Sequence, residues 1–102
     1  MKYEMEFGEF LTTHKRSSRT GELFSLRVGR DVVTRCRVVE RELSVELSRV
    51  NVGHVVGLTE VLKTIRERKL SSTTARPYAH NDLIYSVKIY CEFLRFKKTL
   101  SS

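Results

Sequence analysis

Tryptophan is missing from this 102-residue chain, proline occurs once, at Pro77, and aspartate only at Asp31 and Asp82. Cysteine appears twice, at Cys36 and Cys91, with no CxxC pair and no histidine nearby to complete a ligand set. That spacing excludes a zinc ribbon or finger. It also argues against a disulfide scaffold, because 102 residues can bury a core without staples. Two thiols in apolar runs read most simply as buried side chains, although a Cys36–Cys91 disulfide remains open. No apolar run approaches a membrane span. The first ten residues, MKYEMEFGEF, lack the apolar stretch of a secretory leader. The expectation is therefore an intracellular protein with no membrane association; nucleus and cytoplasm are not distinguished.

Catalytic signatures are also scarce. His14, His54 and His80 have no partner at metal-ligand spacing, and no nucleophile elbow is present. Gly53 and Gly57 bracket HVV without the lysine of a phosphate-binding loop. The expectation is a non-enzymatic protein with no cofactor and no metal.

What the chain does have is positive charge. Nineteen Lys and Arg against twelve Asp and Glu leave a formal net charge of +7. Such an excess favours acidic partners. Five basic residues fall in HKRSSRTGELFSLRVGR, from His14 to Arg30: Lys15, Arg16, Arg19, Arg27 and Arg30. Ser17, Ser18 and Thr20 beside them are candidate targets of a basophilic kinase. A nuclear-import signal is a competing account of HKRSSR.

Periodicity suggests one α+β domain over residues 1–102. Tyr3, Met5 and Phe7 alternate with Glu4 and Glu6, a strand pattern that slips at Gly8, where a bulge would absorb a residue. Phe24, Leu26 and Val28 alternate with Ser25 and Arg27. In VVTRCRVV, Val32, Thr34, Cys36 and Val38 face one side, and Arg35 and Arg37 the other. Leu43, Val45 and Leu47 give a fourth strand, with Arg35 opposite Glu46. The period then becomes helical at Leu58, Val61, Leu62 and Ile65, with Asn51 or Thr59 as cap and Arg66, Arg68 and Lys69 in the last turn. The C-terminal LIYSVKIYCEFLRF fits a strand through Leu83, Tyr85, Val87, Ile89, Cys91 and Phe93. It also fits a helix through Leu83, Val87, Tyr90 and Leu94, with Asn81 or Asp82 as cap. Its Ile, Val, Tyr and Phe content favours the strand. The expected fold is an antiparallel four-stranded sheet backed by one helix, closed by this C-terminal strand (or helix).

On that fold Arg27, Arg35 and Arg37 share the open sheet face, with Lys15, Arg16 and Arg19 as a mobile clamp at its end. Tyr90 is a candidate for stacking on bases. The element order, with the stretch GELFSLRVGRDVVTRCRVVE, resembles the Whirly, PUR and transcriptional positive cofactor families. The resemblance covers roughly residues 3–69 and includes no diagnostic motif. It implies binding of single-stranded nucleic acid on a curved sheet, and pairing of two units. The expected function is thus nucleic-acid binding, with single-stranded RNA or DNA preferred over duplex. Ile84, Tyr90, Leu94 and Phe96 lie on the second apolar phase of the C-terminal segment and are expected to form a homodimer interface. The alternative is a protein-interaction or adaptor domain, of the kind a small viral accessory protein would be, with a protein partner.

Overall fold

The computed structural model describes residues 1–17, 20–49, 55–68 and 80–101. Four helices occupy them: α1 (Glu4–Thr13), α2 (Leu26–Leu43), α3 (Val55–Arg68) and α4 (His80–Ser101). No strand or sheet occurs among the described residues; the only ladder contact is an isolated bridge between Arg16 and Leu23. The four-stranded sheet is therefore corrected to an all-helical arrangement. The arginine-lined sheet face falls with it, as does the curved-sheet platform that the family resemblance implies.

Each misread strand has a helical reading that burial selects. In α1, Phe7, Phe10 and Leu11 are buried while Met5 is 89% exposed. Their i, i+3, i+4 spacing is one helix face. The shift of phase at Phe10 is thus helical period, and Gly8 is an ordinary helical position rather than a bulge. In α2, Val32, Val33, Cys36 and Val39 are buried at i, i+1, i+4, i+7, and Ser25 caps the helix by accepting the Val28 amide. Leu26 and Val28, expected inside a strand, are exposed. The segment read as a fourth strand contains the end of α2. Ser44 adopts the left-handed conformation (φ 53°), and Leu47 then turns into the core. Glu46 pairs with Arg49 at 2.9 Å, and Arg35 lies within α2, so the two do not face each other across strands.

The expected helix at 58–69 is present as α3, which starts earlier and buries Val61, Leu62 and Ile65. Thr59 lies inside α3 rather than at its cap, and Asn51 and Lys69 lie outside the described residues. The C-terminal segment is a 22-residue helix, so the strand reading of 83–96 is corrected to the helical one. Asn81 and Asp82 fall inside its first turn. Leu83, Ile84, Val87, Ile89, Tyr90, Cys91 and Phe93 are all buried. A helix covered on most of its circumference shows no narrow stripe, and its β-branched and aromatic content then imitates a strand.

α1 and α2 form an antiparallel hairpin: Arg37 near the end of α2 meets Glu4 at the start of α1, and Gly29 lies against Leu11. The hairpin packs on α4, which packs on α3. Rings dominate the seam. Phe7 meets Tyr90 edge-on at 5.0 Å between centroids, and Phe93 lies 5.3 Å from Phe7 and 5.6 Å from Phe10. Two polar groups are satisfied inside it. The Tyr90 hydroxyl donates to the Lys2 carbonyl (3.1 Å), and the Ser86 hydroxyl to the Asp82 carbonyl (3.0 Å).

Candidate nucleic-acid interface

The basic residues singled out from the sequence do not converge. Lys15 is half-buried and pairs with Glu92 of α4 at 2.7 Å. Arg37 is exposed, but its guanidinium makes a two-pronged contact with the Glu4 carboxylate. That hydrogen bonding holds the Glu4 carboxyl below the ordinary carboxylate range and raises the Arg37 guanidinium, against a smaller opposing effect of burial. Arg35 is half-buried. Arg19 and Ser18 lie outside the described residues.

Tyr90 is fully buried, and desolvation pushes its phenol up, so it offers no face to a base. Ile84 is buried as well, and Leu94 and Phe96 are half-buried against the same core. The segment 83–96 therefore spends its apolar surface inside one chain. This removes the reason for pairing copies through Ile84, Tyr90, Leu94 and Phe96.

Arg16 and Arg27 remain exposed, and the chain brings them to one end of the hairpin. The turn after α1 closes on itself: the Ser17 amide donates to the Glu22 carbonyl (2.8 Å), and the Gly21 amide to the Ser17 carbonyl (2.8 Å). Gly21 has φ +73°, a conformation that costs a side-chain-bearing residue and that glycine adopts freely. Arg16 donates to the Gly21 carbonyl (3.1 Å) and bridges Leu23, three residues before α2 begins. The Phe24 amide ties the turn back to the Leu11 carbonyl (3.2 Å).

α2 then starts with the wrong charge for its own dipole. Its first turn holds no acidic residue and carries Arg27, with Arg30 a turn further on. A helix N-terminus presents unpaired N–H groups and partial positive charge, so a cation there costs a few tenths of a kcal/mol or more, up to about 1. α1 shows the ordinary arrangement, with Glu4 and Glu6 in its first turn.

Sequence reading missed the spacing of the α2 arginines. Arg27, Arg30, Arg37 and Arg41 recur at intervals of three, seven and four, which is one side of a helix, and all four are exposed. The signal was present but was parsed in steps of two.

Aromatic exposure also bears on the ligand. Among the described residues no Phe or Tyr side chain is exposed; Tyr3, Tyr85 and Phe96 are half-buried and the others buried, while the His14 imidazole is exposed. Tyr3 is further covered by Lys97 and Lys2, whose ammonium groups sit 4.6 and 5.3 Å from its ring centre. No cluster of metal-ligating side chains occurs among the described residues, and no helix among them is long and apolar enough to cross a membrane. Both cysteines are free thiols and buried, and desolvation raises both.

Comparison with protein-family models, curated proteins and solved structures finds no match.

Proposed function

We propose that this protein is a non-enzymatic nucleic-acid-binding protein that holds backbone phosphates at the basic end of the α1–α2 hairpin. The observation that carries the reading is the N-terminus of α2. Arg27 stands in a first turn without any carboxylate, and the closed turn that leads into α2 ties Arg16 to Gly21 and Leu23 at the same end of the hairpin. A phosphate there meets helix N–H groups and guanidinium groups together, and it relieves the repulsion between Arg27 and the helix dipole. The formal net charge of +7 supplies the long-range attraction.

The ligand favoured is duplex rather than single-stranded. Sequence-tolerant binding of single strands draws about 1–3 kcal/mol per base from stacking on exposed rings. The described surface offers no exposed Phe or Tyr ring, and among the described side chains His14 is the one exposed imidazole. A duplex presents twice the phosphate density to guanidinium groups that bind by charge. The role assigned to the arginines is thus positioning on the backbone, without base readout.

Fluorescence anisotropy with a labelled duplex and a single strand of equal length, at low salt, tests this. The expected result is tighter binding of the duplex, weakened by Arg16→Gln and by Arg27→Gln. Absence of binding to either ligand would reject the function, and a preference for the single strand would reject the ligand class.

A further inference from the structure

The face of the α1–α2 hairpin that points away from α4 is an open groove of about 700 Å³, lined only by these two helices. Its floor is small-residue: a Cβ built on Gly8 meets nothing within 4 Å, and Gly29 lies close against Leu11. Its rims are apolar and uncovered, with Met5 89% and Leu26 64% exposed. Met5 and Leu26 leave apolar surface at the two ends of the groove that a partner lying along it would cover.

The charges say what fits it. The α1 bank carries Glu4 and Glu9, and the α2 bank Arg30 and Arg37. Glu4 and Arg37 neutralise each other across the seam. Neither the Glu9 carboxylate nor the Arg30 guanidinium has an ion-pair partner among the described residues. The groove is therefore acidic on one side and basic on the other, with one charge of each sign left over. A partner of single charge would bury one of them uncompensated, which is costly. A second copy of the same surface supplies both signs at once.

We infer that two copies of this chain associate through the outer faces of their α1–α2 hairpins, around a two-fold axis that runs along the helices. Such an axis lays each α1 over α2 of the partner subunit. Glu9 then faces Arg30 of the partner subunit, twice over, and Met5 and Leu26 are removed from water at the two ends of the groove. The axis keeps like ends together, so the two turns carrying Arg16 and Arg27 come to the same end of the dimer. The inference stands on the groove, independently of the phosphate reading. It is tested without nucleic acid, so failure of one is distinguishable from failure of the other.

Sedimentation equilibrium on the full chain is the test. The expected mass is twice that of the 11.9 kDa chain. Met5→Glu combined with Leu26→Glu is expected to give a monomer with unchanged helical circular dichroism. Glu9→Arg alone and Arg30→Glu alone each weaken association by about tenfold or more, whereas the two in one chain restore it. A wild-type protein that is monomeric at about 100 μM overturns the dimer. Two single variants that dissociate without recovery in the double variant overturn the two-fold arrangement.

Discussion

The two sides of the α1–α2 hairpin are built from the same two helices and behave oppositely. The inner side presents Phe7, Phe10, Val32, Cys36 and Val39 to α4, and every one is buried. The outer side presents Gly8, Met5 and Leu26, along with paired and unpaired charges, to solvent, while Gly29 is buried where the two helices touch. Large rings close a seam because they fill it, and Gly8 leaves room that nothing in the chain fills. The inner face accounts for stability, and the outer face and its basic end are where partners are expected. This division can be broken from either side.

The largest effect is expected inside. Phe7→Ala and Tyr90→Ala each empty part of the ring cluster, and each should cost about 3–5 kcal/mol in urea unfolding, enough to threaten folding of a small domain. Tyr90→Phe keeps the ring and removes only the hydrogen bond to the Lys2 carbonyl, so the expected loss is about 1 kcal/mol. Equal losses in Tyr90→Phe and Tyr90→Ala would mean that packing is not what holds the seam.

On the outer side the same measurement should register little. Glu4→Gln removes a surface ion pair, worth up to about 1 kcal/mol near neutral pH and less in high salt. Because Arg37 depresses the Glu4 carboxyl in the folded state, the stabilisation is present above the ordinary carboxylate range. It is lost as pH falls through the lowered folded value. The wild type and Glu4→Gln should therefore converge in stability toward acid, and a difference that persists there would contradict the pairing. Gly8→Ala should change stability least and in the other direction. Its added methyl meets nothing within 4 Å, and relief of glycine's helix penalty should raise stability by about 0.5–1 kcal/mol.

The same contrast explains what was legible from the sequence. α3 was readable because Val61, Leu62 and Ile65 face inward while Glu60, Lys63, Arg66 and Glu67 face out, a one-sided helix. α4 was misread because burial covers most of its sides, so its apolar residues satisfy either period. α2 was misread because Val32, Cys36 and Val38 happen to fall on even numbers, and valine-rich segments invite the strand reading. Tertiary burial decided in favour of the helix. The basic turn stood out by its composition, whereas Arg27 was picked from a strand phase that the helix α2 replaces. The outer groove was not, because it exists only once α1 and α2 are laid side by side.

Salt dependence of duplex binding tests the central claim most directly. The logarithm of affinity against the logarithm of salt should be linear, and Arg16→Gln combined with Arg27→Gln should flatten its slope by about 1.8, one counterion-release increment per lost phosphate contact. An unchanged slope in that double variant, with the protein still folded, would show that phosphate does not bind at the N-terminal end of α2.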